Sequence, residues 1–252
     1  MKLYTGGLVA SFLRKVVSPH LAGSRLKGCT IYETLEVPMS DDLLTYPAVQ
    51  DYIATLVPPR EAELLEMEAY AEKYNFPIIG PACGYYCYQL ARMIKAKAVF
   101  ELGSGYGYST AWFAKAVKEN GGGIVHHTVW EDELSERARS HLVKLGTAAL
   151  VKFHVSEAVE ALNRTEGPFD IIFNDIDKQA YPASLPAIKE KLRSGGLLII
   201  DNMLWHGRIF DEKDIAPTTM GVHEFTKQIT QDTDWIVSLA PMRDGMIVAY
   251  KK

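Results

Sequence analysis

The sequence is poor in cysteine and lacks a long apolar run. Its three cysteines, Cys29, Cys83 and Cys87, are an odd number, and their spacing offers neither a disulfide framework nor the paired ligands of a zinc site. We therefore expect buried thiols in a reducing, cytoplasmic compartment. No apolar stretch is as long as a membrane-spanning helix, so the sequence predicts no membrane span.

The chain also lacks a strong excess of either charge. It carries 27 Lys and Arg against 31 Asp and Glu, a net charge of −4, and this balance does not predict a nucleic-acid or membrane-surface partner. Residues 1–43 differ, because Lys and Arg occur there from Lys2 to Lys27 before the first acid, Glu33. We interpret them as a basic amphipathic arm that packs on its own protein or on a second subunit. A transit peptide or a surface-binding helix is the alternative.

Residues 44–252 alternate in the manner of an α/β domain. Residues 44–95 predict a helical cap, with helices over 47–56, 59–73 and 84–94. From residue 96 onwards short apolar strands alternate with helices, which favours βαβ units and a mostly parallel sheet: AVFELG, IVHHTVW, ALVKFHV, FDIIFND and LLIID. WIVSLAP and GMIVAYK then predict an antiparallel hairpin. We expect one doubly wound, Rossmann-like α/β domain with a seven-stranded, mostly parallel sheet, N-terminal helices and a C-terminal hairpin.

A glycine-rich loop follows the first predicted strand. It contains Gly103, Gly105 and Gly107, whereas a dinucleotide-binding fingerprint would place its third glycine at position 108, which is Tyr108. The pattern acidic-x-G-x-G-x-G, beginning at Glu101, resembles the first motif of methyltransferases that use S-adenosylmethionine. That cofactor is a cation, which explains an acid at the strand end. A nicotinamide-dependent oxidoreductase and a glycine turn without a ligand are the alternatives.

Two later strand ends supply further candidates for cofactor binding. The second strand ends in TVWEDE, where Glu131, or else Asp132, is expected to bind the ribose hydroxyls. After the third strand, Ser156, Glu157 and Ala158 stand where the adenine edge is usually recognised.

Carboxylates follow the fourth and fifth strands. Asp175 follows the fourth strand, and Asp201 and Asn202 follow the fifth, so neighbouring parallel strands would bring them together near the cofactor. Two carboxylates and an amide oxygen suit Mg²⁺, Mn²⁺ or Ca²⁺. Asp177 is interpreted as a helix cap. Lys178 is a candidate base or oxyanion partner, or alternatively a structural partner of the nearby acids.

Four longer stretches resemble the divalent-cation-dependent O-methyltransferases of the caffeoyl-CoA and catechol type: FELGSGYGYST, FDIIFNDIDKQAY, GGLLIIDNMLWHGRI and PMRDGMIVAYKK. The resemblance covers residues 45–252. It implies a homodimer and the metal ligands Asp175, Asp201 and Asn202, with Lys178 near the reacting hydroxyl and Trp205 at the substrate mouth. Together with the loops, it gives this predicted cofactor set: Glu101, Gly103, Ser104, Gly105, Ser109, Glu131, Ser156, Glu157, Ala158 and Asp175.

The expected reaction is transfer of a methyl group from S-adenosylmethionine to a hydroxyl of a small catechol-like or phenolic substrate, assisted by a divalent cation. Lys178 and Asp175 are the expected catalytic residues. The stretch after Arg208 lacks the Tyr and Arg pattern with which plant enzymes of this type meet coenzyme A substrates. Methylation of a hydroxylated uridine in tRNA, with the same site, is the alternative, and the basic arm of residues 1–43 is the feature that favours it.

Overall fold

The computed structural model describes residues 46–252, so the arm of residues 1–43 lies outside the described residues and its assignment stays a prediction. Three helices open the described chain: α1 (Tyr46–Thr55), α2 (Ala62–Tyr74) and α3 (Gly80–Met93). Helix α2 is capped at its C-terminus by Asn75, which takes a left-handed conformation with φ 49°. Helix α3 begins four residues before the predicted start at residue 84, because Pro81 lies in its first turn, where a missing N–H costs nothing.

Seven strands form one sheet in the order β3-β2-β1-β4-β5-β7-β6. Strands β1 to β5 pair in parallel, and β7 pairs antiparallel with β5 and β6. The strands are β1 (Ala98–Leu102), β2 (Ile124–Val129), β3 (Val151–Val155), β4 (Phe169–Asn174), β5 (Leu192–Ile200), β6 (Trp235–Ala240) and β7 (Met246–Lys251). The predicted fold class, with its parallel core and C-terminal hairpin, is confirmed.

Helices cover both faces of this sheet. They are α4 (Tyr108–Glu119), α5 (Asp132–Lys144), α6 (Ala158–Arg164), α7 (Tyr181–Lys191) and α8 (Pro217–Gln231). Successive residues of β1 point to opposite faces, so Val99 packs in the same apolar cluster as α3 and α4, and Phe100 packs with α6 and α7. Burial on both faces explains why the central strands read as continuous apolar runs rather than as alternating ones.

Strand β5 starts earlier than predicted. The predicted strand LLIID begins at residue 197. In the structure helix α7 ends at Lys191, and Leu192 is already paired with Phe169 and 1% exposed. The loop after Asp201 contains 3₁₀ turns over Trp205–Phe210, with a kink at His206 and Gly207, which have positive φ. Within residues 46–252 no helix combines the length and apolarity that crossing a membrane would require.

Candidate functional site

The glycine loop after β1 lies against the end of β4. Gly103 has φ +82°, and a Cβ atom at this position would lie 2.6 Å from the backbone oxygen of Asp175. The Asp175 amide donates a hydrogen bond of 2.8 Å to the carbonyl of Leu102. Glycine is needed here both for the left-handed backbone and for the close approach of the two chain segments. The glycine loop therefore lies directly beside the segment that carries Asp175.

Glu101 is fully buried beneath this loop. Its carboxylate accepts a hydrogen bond from the hydroxyl of Thr110, which in turn lies 3.0 Å from Nδ1 of His127. Burial raises the pKa of Glu101 to about 7, and hydrogen bonding to Ser109 and Thr110 opposes that rise. The first turn of α4 therefore holds an acid at the strand end, where the sequence predicts a contact with a cationic cofactor.

A cavity of about 200 Å³ lies along the carboxyl ends of β1, β2 and β3. Ten of its lining residues come from the loops that the sequence singles out: Gly103, Ser104, Gly105, Trp130, Glu131, Ser156, Ala158, Asp175, Ile176 and Asp177. Trp130, which precedes Glu131 and is 69% exposed, was not assigned a role from the sequence. Glu157 does not line the cavity. Its carboxylate caps α6 by accepting the Glu160 amide at 2.6 Å.

A second cavity, of about 600 Å³, lies between the glycine loop and the ends of β4 and β5. Asn174 and Ile200 are paired in register, so Asp175 and Asp201, one residue further on, emerge side by side. The predicted residues that line this cavity are Gly103, Ser104, Gly105, Ser109, Asp175, Lys178, Asp201, Asn202 and Trp205. The structure thus brings the predicted carboxylates, the amide and the lysine to one cavity that also contacts the glycine loop.

Two carboxylates of the second cavity, Asp175 and Asp201, pair with cationic side chains. Oδ1 of Asp175 lies 2.8 Å from Nζ of Lys178, and Oδ2 of Asp201 lies 3.2 Å from Nη1 of Arg243. The other oxygen of Asp201 is buried and has no hydrogen-bond partner. Burial, together with the charge of Asp175, raises the pKa of Asp201 to about 7. A buried carboxylate oxygen without a partner calls for a ligand, since leaving it unpaired is costly.

Asn202 lines the same cavity as Asp175 and Asp201. Its φ is 56°, and its side-chain amide donates 3.1 Å to Oδ2 of Asp244, which leaves the amide oxygen available. Among residues 46–252 no three His, Cys, Asp or Glu side chains converge as a metal site, so the amide is needed to complete a set of three. Two carboxylates and an amide oxygen are hard donors, and they fit a hard divalent cation.

Lys178 is held by a turn that packs under α8. Asp177 accepts from the Gln179 amide at 3.2 Å and starts the 3₁₀ turn Lys178–Ala180, in agreement with its predicted role as a cap. A Cβ atom at Gly221 would lie 2.2 Å from the backbone oxygen of Lys178. The Lys178 side chain is 11% exposed, and its Nζ lies 5.7 Å from the centre of the Trp205 ring.

Sequence reasoning missed Arg243, Asp244 and Gly221. The first two belong to PMRDG, a charged turn between two apolar strands, and that contrast is a signal that could have identified them. Gly221 carried no usable signal, because the close approach of α8 to the Lys178 turn depends on the folded chain.

The comparison with known proteins agrees with this geometry. Residues 59–252 match the O-methyltransferase family. A catechol O-methyltransferase from Niastella koreensis is 28% identical over 82% of this chain and 98% of its own. A caffeoyl-CoA O-methyltransferase from Eucalyptus gunnii is 29% identical over 81% of this chain and 87% of its own.

Solved structures show the same likeness. The O-methyltransferase from Bacillus cereus, determined in complex with SAH, superposes with a TM-score of 0.73 at 26% identity, over 81% of this chain and 97% of that one. The nicotinamide-dependent alternative is therefore wrong, and the glycine loop is of the methyltransferase type that the position of Gly107 indicates. The chain belongs to the S-adenosylmethionine-dependent O-methyltransferases.

Proposed function

We propose that this enzyme methylates a hydroxyl of a small catechol-like or phenolic acceptor, with a divalent cation held by Asp175, Asp201 and Asn202. Mg²⁺ is the expected metal, with Mn²⁺ or Ca²⁺ as alternatives. The observation that carries the proposal is the convergence of three hard oxygen donors and Lys178 in one cavity beside the glycine loop. We also propose a homodimer, on the family resemblance alone, and a reducing, cytoplasmic compartment, on the free buried thiols of Cys83 and Cys87.

The cofactor is proposed to lie across both cavities. Glu131 would bind the ribose, and Ser156 and Ala158 would meet the adenine, because all three line the smaller cavity. The methionine end would lie over Gly103 and Gly105, which line both cavities, with the buried Glu101 below it. This placement directs the methyl group towards the larger cavity, where the acceptor would lie.

The residues of the larger cavity would activate and align the acceptor. A divalent cation bound there would favour the ionised form of a hydroxyl, because coordination lowers the pKa of an oxygen by several units. Lys178 would receive the hydroxyl proton or stabilise the developing oxyanion. The sequence also allowed a purely structural role for Lys178 as a partner of nearby acids, and Lys178 does pair with Asp175. The ion pair is compatible with both roles, because Lys178 still lines the cavity. Alignment of the two reactants can contribute ~7–11 kcal/mol.

The tRNA alternative is not favoured. The relatives named above are catechol and caffeoyl-CoA enzymes. The net charge of −4 also disfavours binding to the negatively charged phosphates of tRNA.

A methyl-transfer screen tests the proposal. Catechols, hydroxycinnamates, flavonoids and bulk tRNA are each incubated with the enzyme and cofactor in Mg²⁺, in Mn²⁺ and in a chelator. We expect transfer to at least one small phenol in Mg²⁺ and its loss in the chelator. Full activity in the chelator would exclude the metal, and transfer to tRNA alone would exclude the small acceptor.

Gly221→Ala tests whether the α8 contact positions Lys178. The new methyl group would collide with the backbone of the Lys178 turn, and a displacement of about 1 Å can lower kcat by up to ~100-fold. We expect kcat to fall at least about tenfold while the affinity for S-adenosylmethionine, measured by calorimetry, is retained. Met220→Ala is the matched control, because Met220 is a neighbour on the same helix and is 49% exposed. An unchanged kcat in Gly221→Ala would refute this positioning role.

A further inference from the structure

A third cavity, of about 820 Å³, adjoins the proposed acceptor site. We call it the outer cavity. Its walls are largely apolar, and its lining residues are Gln50, Leu204, His206, Gly207, Phe210, Pro241, Arg243 and Asp244. Arg243 and His206 line both the outer cavity and the cavity of Asp175 and Asp201. The two cavities therefore share a wall. The proposed function places the acceptor in the cavity of Asp175 and Asp201 and gives the outer cavity no role.

Arg243 is held at its backbone, and its side chain makes an ion pair with Asp201. It takes a left-handed conformation with φ 50° in the turn between β6 and β7, and its amide donates to the side-chain oxygen of Gln50. Its side chain is 39% exposed, and the one hydrogen bond that its guanidinium makes within the described residues goes to Asp201. A guanidinium has five N–H donors, so most donors of Arg243 have no partner among the described residues, and its side chain lines the outer cavity.

Arg243 is the cation that the outer cavity presents to a ligand. The acid on this wall, Asp244, is only 6% exposed, and its oxygens accept from the Asn202 amide and from the backbone amide of His206. Both oxygens of Asp244 are therefore already paired within the cavity wall. Phe210, 74% exposed, and the apolar side chains of Leu204 and Pro241 supply surface for an aromatic or aliphatic group. An apolar cavity that ends in a guanidinium fits an organic anion.

We propose that Arg243 selects acceptors that carry a carboxylate, with the hydroxyls at Asp175, Asp201 and Asn202 and the carboxylate at the guanidinium. This inference rests on the proposed function and narrows its substrate class to carboxylated catechols. The ion pair with Asp201 further links Arg243 to metal binding. A dication beside Asp201 would repel the guanidinium, so Arg243 competes with the metal and is released towards the acceptor's carboxylate when the metal binds.

Arg243→Gln should have two opposite effects: a weaker preference for carboxylated acceptors and a tighter binding of the metal. Arg243→Gln removes the partner of the acceptor's carboxylate, so the ratio of kcat/KM for 3,4-dihydroxybenzoate to kcat/KM for catechol should fall about tenfold or more, as for loss of a charge-assisted hydrogen bond. It also removes a competing cation from Asp201, so Mn²⁺, titrated by electron paramagnetic resonance without acceptor or cofactor, should bind more tightly. Arg243→Lys should keep part of the acceptor preference, because it keeps the charge but not the planar fork.

Arg92→Gln is the matched control, since it also removes an ion-paired surface arginine, which pairs with Glu119 away from both cavities. It should change neither readout. An unchanged acceptor ratio in Arg243→Gln would overturn the selection of carboxylates, and unchanged or weaker Mn²⁺ binding would overturn the competition at Asp201. If wild-type enzyme binds Mn²⁺ and shows the Arg243 effect on it but methylates neither catechol nor 3,4-dihydroxybenzoate, the proposed function and the acceptor assignment fail together while the metal competition stands.

Discussion

Replacing Asp201 with asparagine is expected to abolish tight divalent-cation binding and to lower methyl transfer on the order of 10²–10³-fold, the loss seen when a preorganised charge-stabilising group is removed. Asp201 is fully buried, lines the cavity and has one oxygen without a hydrogen-bond partner, so an amide of the same size keeps the packing and loses the charge. The measurements are Mn²⁺ titration and kcat/KM in saturating Mg²⁺. Asp232→Asn is the matched control, because it removes a carboxylate paired with Lys189 far from the site.

The same variant separates loss of function from loss of fold. The pKa of Asp201 is raised to about 7, so the folded state binds this proton more tightly than the unfolded state does. The contribution of Asp201 to stability is therefore present at low pH and is lost as pH rises from about 4 through 7. At pH 8 in a chelator, Asp201→Asn should melt at the same temperature as the wild-type protein or higher. A lower Tm together with retained Mn²⁺ binding would contradict the assignment of Asp201 as a metal ligand.

Replacing Gly103 with alanine is expected to eliminate detectable S-adenosylmethionine binding and to destabilise the fold by about 2–5 kcal/mol, the sum of a left-handed backbone penalty and an overpacked contact. Its Cβ atom would lie 2.6 Å from a backbone oxygen of the Asp175 segment, which cannot move without disturbing the ends of β1 and β4. Calorimetric titration with the cofactor and urea unfolding measure the two effects.

Gly121→Ala is the control for the backbone term. Gly121 has φ +93°, but an added Cβ atom would meet nothing within 4 Å among the described residues, so only the left-handed penalty of about 1–2 kcal/mol applies. Cofactor affinity should be unchanged in this variant. If the two alanine variants lost equal stability and both bound the cofactor, the close approach of the glycine loop to Asp175 would have no role.

Short-range patterns predicted most of the architecture. Strands β1 and β4 are mostly apolar and are bounded by turn residues. Such short runs are decided by the local chain and by burial on both faces of the sheet. The same patterns placed Asp175 and Asp201 correctly at neighbouring strand ends, because register in a parallel sheet brings the carboxyl ends together. Element boundaries were predicted less well. Strand β5, predicted only as LLIID, begins earlier, at Leu192, because Leu192 pairs with Phe169 of the neighbouring strand.

The sequence by itself determined the fold class, the glycine loop and the candidate donors at the strand ends, because each depends on residues that are adjacent in the chain. Only the tertiary structure decided which side chains surround those donors. Arg243 reaches Asp201 across 42 positions of sequence, and Gly221 of α8 packs against the Lys178 turn. Such contacts depend on how helices and hairpins dock on the sheet, and that docking is set by the packing of the whole core rather than by any local pattern.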